Sequence, residues 1–210
     1  MSDSVIVHDN EYEPVAFTQD ELGWLPWLEP FPEAELTERH FAGLVDKARA
    51  KSDYFRLLVR DPEVLEARTK TDKDIFYNTA DGLPRAEREL AAAATSRYNG
   101  CIYCASVHSR FATTYSKRRD DVQRLLDEGV GADLGARWNA VVKASVALAS
   151  TPVAFSEEHI GAAPRRARRC RDCRCDQQRG VLQLGEPADA VARGADDGGR
   201  EVKDGMEIAA

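Results

Sequence analysis

The sequence predicts an all-α fold, and three observations carry that prediction. Apolar residues recur at spacings of three and four between residues 34 and 160, no segment alternates with the period of a strand, and proline or glycine punctuates the helical runs. The expected architecture is a compact multi-helix bundle with an extended arm ahead of it. Its parts are an arm at 1–33, a helical domain at 34–163 and an irregular tail at 164–210.

In the arm, Pro14, Pro26, Pro30 and Pro32 interrupt any long helix. The arm is expected to lay Phe17, Leu22, Trp24, Trp27 and Leu28 on its own domain or on a neighbouring subunit. From Pro32 to Lys51 the spacing of Leu36, Phe41, Leu44, Val45 and Ala48 predicts one helix, with Glu33 and Glu35 suiting its start. Tyr54–Val59 reads as a short apolar helix. Asp61-Pro62, a capping residue followed by proline, opens a helix to about Tyr77. Pro84 opens the next, whose face of Leu90, Ala91, Ala94 and Tyr98 is narrow and mostly small. Asn99-Gly100 ends that helix, and the one after it runs to about Lys117, with Ile102, Val107, Phe111 and Tyr115 expected to be buried. A short polar helix follows from Arg119 to Asp127, ended by Gly129. The last long helix, Asp133–Ser150, carries Leu134, Trp138, Val141, Val142, Ser145 and Leu148 on one stripe and stops at Pro152. Ser156-Glu157-Glu158-His159 has the pattern of a cap and first turn.

Composition narrows the function classes. The formal charge of -7 over 210 residues argues against nucleic acid, which calls for a basic surface. The acidic start MSDSVIVHDNEYEP lacks the basic and apolar regions of a secretory signal, and no apolar run approaches the roughly 20 residues that span a bilayer. A cytoplasmic protein, with no membrane or nucleic-acid partner, is expected. In a reducing compartment a C-x-x-C motif points to redox chemistry or metal more than to a permanent bridge.

The chemistry concentrates in Glu89–His108. Cys101, Cys104 and His108 are spaced C-x-x-C-x-x-x-H. At about 100° per residue they share an arc of roughly 60° on a helix. A thiol in the first turn gains from the unpaired N–H groups and the helix dipole there. Two thiols beside a proton-transferring imidazole make a workable redox centre. Glu89 is either a solvated surface charge or, on its small-residue face, a buried carboxylate with raised pKa suited to general-base work. His108 has a plainer reading as a core histidine, against which stands its i+4 relation to Cys104. Tyr98 and Tyr103 read as packing residues, and His8, His40 and His159 have no comparable partner. A second plain reading makes Cys101 and Cys104 half of a zinc site completed by Cys170, Cys173 and Cys175. The regular helix under the first pair and the long separation from the second speak against it, so no metal ligand is assigned.

From Ala163 the texture changes to PRRARRCRDCRCDQQRG and then to Ala, Arg, Gly and Asp with few large apolar residues. Such a segment buries too little surface to offset its ordering entropy. It also has the composition of a GC-rich gene translated out of frame. One choice of codons for residues 179–186, read a base later, encodes Ala-Ala-Phe-Phe-Asn-Trp-Ala, an apolar helical stretch. A frameshift near Ala163 that replaced a closing helix is therefore expected in the gene.

Glu89, Ser96, Asn99, Cys101, Tyr103, Cys104 and His108 together spell E-x6-S-x2-N-x-C-x-Y-C-x3-H. Over about residues 35–160, and most strongly from Pro84 to Lys117, the chain resembles the alkylhydroperoxidase D-like, carboxymuconolactone decarboxylase-like family. The resemblance implies an all-helical fold in trimeric or hexameric homo-oligomers and a peroxidase cycle without a cofactor. By position, Cys104 would attack the hydroperoxide and become a sulfenic acid. Cys101 would resolve it as a disulfide, Glu89 and His108 would relay protons, and a thiol or lipoyl-type reductant protein would reopen the bridge. Decarboxylases of the family generally lack the cysteine pair, which sets lactone decarboxylation aside. The non-catalytic alternative is a helical oligomeric binding module with structural or zinc-bound cysteines.

Overall fold

A computed structural model describes residues 14–161 except Trp24 and Asp81. The expected tail with Cys170, Cys173 and Cys175, the start of the arm, and Trp24 lie outside the described residues. Every regular element among the described residues is helical, and none of these helices is long and apolar enough to cross a membrane. Two compact units divide the chain: one holds Leu22–Lys73, the other Pro14–Glu21 with residues 74–161.

In the first unit the single helix expected from Pro32 to Lys51 is corrected to three short pieces. They are a 3-10 turn at Glu33–Glu35, α1 at Glu38–Leu44 and a second 3-10 stretch at Lys47–Lys51. Local capping cuts the run. Thr37 and His40 form a capping box that starts α1, and Val45 leaves the helix at φ 65°. The Asp46 side chain then accepts the Ala48 N–H and starts the next turn. α2 (Asp53–Leu58) and α3 (Pro62–Tyr77, its last four residues belonging to the second unit) come next, the latter begun as expected by Asp61, whose carboxylate accepts the Val64 N–H at 3.2 Å. Leu44, Ala50, Val59 and Leu65 form the core, with Phe31, Leu36, Phe41, Phe55 and Leu58 against it. The breaks thus let residues of one helical period converge from several short elements.

The second unit is built on α4 (Arg85–Asn99), which is buried continuously from Glu87 to Ser96. α5 (Ile102–Ser116), α6 (Arg119–Glu128) and α7 (Ala136–Ala149) pack against it. Leu90, Ala93 and Ala94 meet Ala112 of α5, Val122 and Leu125 of α6, and Trp138 and Val142 of α7. A helix enclosed on all sides needs small side chains where its neighbours come close, and Ala91–Ala94 supply them. The buried stretch ends at Ser96, so Tyr98, expected on the apolar face, is exposed. α7 begins three residues later than its periodicity predicts. Asp133 is held in the preceding loop, its carboxylate accepting from Gly135 N and from Asn139 Nδ2. The short α8 (Glu157–Gly161) closes the described chain, with His159 Nδ1 accepting the Ser156 N–H.

The arm residues of this unit brace α5 and α6. Gln19 is buried and donates to Arg119 O and Gln123 Oε1 while accepting from Thr113 Oγ1. Ser106 donates to Asp20 O, and the Arg97 guanidinium lies 4.1 Å from the Phe17 ring centroid. α5 accordingly buries Cys104, Ala105, Ser106, Ser109 and Ala112. The expectation that Ile102, Val107, Phe111 and Tyr115 are buried is corrected: the first three are half-buried and Tyr115 is exposed. Close packing against an alanine-rich helix selects the small side chains of α5 and turns the large ones outward.

Candidate functional site

Gly100 fixes the approach of the two central helices. It ends α4 in the left-handed region at φ 83°, where a side chain would be strained, and Cys101 N donates to Ser96 O at 2.9 Å. The chain therefore turns within one residue, and Cys101 becomes the N-cap of α5. Its sulfur accepts the Cys104 N–H at 3.3 Å, so one unpaired backbone donor of the helix start is taken by sulfur. Cys101 and Cys104 are joined as a disulfide with their Cα atoms 5.5 Å apart, and both are buried. The pair thus lies at the mouth of α5, with Cys101 at the cap rather than inside the first turn.

His108 lies one helical turn beyond Cys104. Its Nδ1 is 2.7 Å from Glu89 Oε2, and its ring stacks on Phe76 with centroids 5.3 Å apart. Glu89 is 1 % exposed, which decides between its two readings: it is a buried carboxylate and not a surface charge. Oε1 accepts from Arg85 Nε at 2.6 Å. A carboxylate already bonded to a guanidinium accepts from the ring, so His108 Nδ1–H donates, and in the neutral imidazole the lone pair is then on Nε2. Nε2 has no hydrogen-bond partner among the described residues.

Arg85 is the residue that sequence reasoning missed. Besides Glu89, it donates from Nη1 to Phe76 O at 3.1 Å. Its guanidinium carbon is 4.1 Å from the Tyr77 ring centroid, 4.9 Å from Tyr115, 5.2 Å from Phe76 and 5.8 Å from Phe111. Burial alone would lower its pKa, but the charge of Glu89 and hydrogen bonds with Tyr77 and Glu89 outweigh that and raise it above the ordinary arginine value. The i, i+4 spacing of Arg85 and Glu89 on a helix was the available signal. What the spacing could not show is that the ends of α3 and α5 bring four rings around the guanidinium.

Other buried charges of α4 have different partners. Glu87 is bonded by Arg137 of α7, from Nη2 to Oε2 at 2.8 Å, and Arg88 donates to Leu83 O, Ile75 O and Asn78 O. Among the described residues no group of three or more His, Cys, Asp or Glu side chains could hold a metal ion. The tail cysteines of the zinc reading lie outside the described residues.

Residues 62–147 match the carboxymuconolactone decarboxylase family. No curated protein matches the chain in sequence. Among solved structures, the alkylhydroperoxidase AhpD core of an uncharacterized peroxidase-related protein from Ralstonia eutropha JMP134 is similar at 19 % identity and a TM-score of 0.62, over 80 % of this chain and 93 % of that one. The apo debrominase Bmp8 is similar at 17 % identity and 0.58, over 79 % and 90 %. A cysteine-to-alanine variant of that debrominase in complex with 2,3,4-tribromopyrrole is similar at 16 % and 0.60, over 88 % and 93 %. The matched segment, residues 62–147, spans α3 to α6 and most of α7, so this part of the chain is similar to the carboxymuconolactone decarboxylase family, within an all-α fold like that of the AhpD core.

Proposed function

We propose that this chain is a thiol-dependent peroxidase that reduces hydroperoxides through Cys104 and Cys101. The observation that carries the reading is the contiguity of a bonded cysteine pair at the start of α5 with an imidazole one turn on, held by a buried carboxylate. In the reduced protein, His108 Nε2 accepts the Cys104 proton. The thiolate then attacks a peroxide oxygen: the S–O bond forms, the O–O bond breaks, and the alkoxide leaves as alcohol with a proton returned from His108. Cys101 attacks the resulting sulfenic acid, forming S–S and releasing water, before further oxidation. Each turnover converts one hydroperoxide and two thiols into alcohol, water and one disulfide. A thiol or lipoyl-type reductant protein then supplies two electrons and two protons to reopen the bridge.

The same reading takes the protein as a cytoplasmic homo-oligomer, trimeric or hexameric. Tyr103, Val107, Phe111 and Tyr115 recur every four residues of α5, and none of them is buried within one chain, so a second copy covering this ridge would suit it. Light scattering on a ridge variant such as Val107→Glu checks that assignment by the loss of oligomer mass.

Thiol titration before and after one equivalent of hydroperoxide tests the activity. Two thiols should disappear reversibly, peptide mapping should place the new bridge at Cys101–Cys104, and Cys104→Ser should abolish turnover. About one zinc per chain, protecting the thiols until chelated, would favour the binding-module alternative instead. The fold is shared with a debrominase, so 2,3,4-tribromopyrrole is the counter-substrate: its reduction without any peroxide turnover would replace the peroxidase reading.

A further inference from the structure

We propose that Arg85 is a positioning residue of this centre, one that locks the Glu89 carboxylate by one oxygen so that the other is presented to His108. The proposal rests on the peroxidase reading and adds to it the group that sets the relay's geometry. A carboxylate bonded only to an imidazole can rotate about its last torsion and exchange oxygens. Glu89 cannot do so without breaking the 2.6 Å bond from Arg85 Nε to Oε1.

Arg85 is itself immobilised twice. Its Nη1 donates to Phe76 O, and its plane sits among the rings of Phe76, Tyr77, Phe111 and Tyr115. Phe76 therefore clamps both ends: its carbonyl holds the guanidinium and its ring stacks on the imidazole. The groups facing the Glu89 carboxylate are the charged Arg85 from its own helix and the titratable His108 from α5, with Tyr77 at the end of α3 bonded to the guanidinium. This is a task for arginine and not for lysine. A planar fork can bond a carboxylate at Nε, a carbonyl at Nη1 and stack on aromatic faces at once, whereas an ammonium on a flexible stem does none of these with fixed direction.

The prediction is a loss of kcat without loss of substrate affinity. Proton relays of this kind contribute roughly 10²–10⁴-fold, and a residue acting through one should cost about 10–100-fold on removal. Arg85→Ala should lower kcat for hydroperoxide by that amount with KM little changed, and millimolar guanidinium should restore part of the rate by refilling the ring-lined space. Methylammonium, of like charge but without the fork, should not. Arg85→Lys should fall between Arg85→Ala and wild type. Cys104→Ser separates the two readings. If it turns over peroxide at the wild-type rate, the peroxidase reading itself fails. If it is dead while Arg85→Ala and Arg85→Lys both keep wild-type kcat, the peroxidase stands and the role of Arg85 is overturned. Should circular dichroism show Arg85→Ala unfolded, Arg85→Lys carries the test: wild-type kcat in that variant refutes the proposal, and a reduced kcat at unchanged KM supports it.

Discussion

Replacing Glu89 by glutamine exchanges one oxygen of a carboxylate that is 1 % exposed, and the hydrogen bonds around it dictate the outcome. The carboxylate accepts twice, at 2.6 Å from Arg85 and at 2.7 Å with His108 Nδ1. An amide offers one acceptor and an NH2 that only donates. Arg85 has nothing but protons to give, so the amide oxygen must face it and the NH2 must face His108. Nδ1 is then forced to accept, and the ring proton moves to Nε2, the nitrogen the mechanism needs as a base. Both hydrogen bonds survive in number. The stability cost is therefore that of weakening two charge-assisted bonds, about 1–3 kcal/mol, and not the roughly 3–5 kcal/mol of an amputated buried ion pair. Under the proposed peroxidase mechanism activity should fall much further, by about 10²–10⁴-fold, because the nitrogen proposed as base then carries the ring proton. Steady-state peroxide reduction with a dithiol donor measures the rate, urea unfolding measures the stability, and nitrogen chemical shifts of His108 report the tautomer. Wild-type turnover in Glu89→Gln, or lost turnover with Nδ1 still protonated, would refute the reasoning.

Three further expectations test the frame around the site. Gln19→Ala removes a buried amide bonded to Arg119 O, Gln123 and Thr113, and should destabilise the second unit by about 1–3 kcal/mol, read as a lower urea midpoint. An unchanged midpoint would show that the arm does not brace α5 and α6. Gly43→Ala would place a Cβ 2.6 Å from both Pro62 Cβ and Pro62 O, backbone-anchored atoms that cannot step aside. A cost of about 1–3 kcal/mol is expected, and a thermal melt equal to wild type would contradict the close crossing of α1 on the start of α3. The Asp133 carboxyl is held below its ordinary pKa by hydrogen bonds from Asn139 and then from Gly135 N. A group depressed on folding stabilises above its unfolded pKa of about 4 and loses that contribution as pH falls through the lower folded value. Wild type should thus lose stability relative to Asp133→Asn as pH falls below about 4, and a constant difference through that acid range would count against the loop geometry.

The helix boundaries set by strong local chemistry were legible in the sequence: Asp61-Pro62 for α3, Pro84 for α4, Gly129 for α6 and Pro152 after α7 all act where their backbone preferences predict. Periodicity misled where tertiary contacts decide. Leu36, Phe41, Leu44 and Ala50 do share one core, but through a break at Val45 that no period reveals. On α5 periodicity assigns the large apolar residues to the interior, whereas the space beside Ala91–Ala94 admits only small ones. In the site, helical spacing placed Cys104 and His108 on neighbouring turns of one helix, and it could not decide whether Glu89 faced solvent. That depended on how closely α4 and α5 approach, and the role of Arg85 depended on residues from α3, α4 and α5 together.

Burial of charge on α4 is by itself a poor guide to chemistry, and the neighbouring Glu87–Arg137 pair shows why. Glu87 is as enclosed as many catalytic carboxylates, yet its partner Arg137 is half exposed on α7 and both Glu87 oxygens are engaged by that one guanidinium. The Glu87 hydrogen bond raises the Arg137 pKa despite partial burial, so the guanidinium keeps its charge and has no proton to give. A closed pair of this kind can be exchanged for apolar side chains at little net cost, because the desolvation penalty disappears with the attraction. Removing Glu87 alone should therefore cost about 1–3 kcal/mol, whereas Glu87→Leu with Arg137→Leu should return to within about 1 kcal/mol of wild type and keep full peroxide turnover. The Glu89 assembly differs in one respect that matters: its second partner is an imidazole with a nitrogen left over, one helical turn from a cysteine. If the Glu87–Arg137 double variant lost turnover as severely as Glu89→Gln, rigidity of α4 and not proton transfer would be what the buried carboxylates supply.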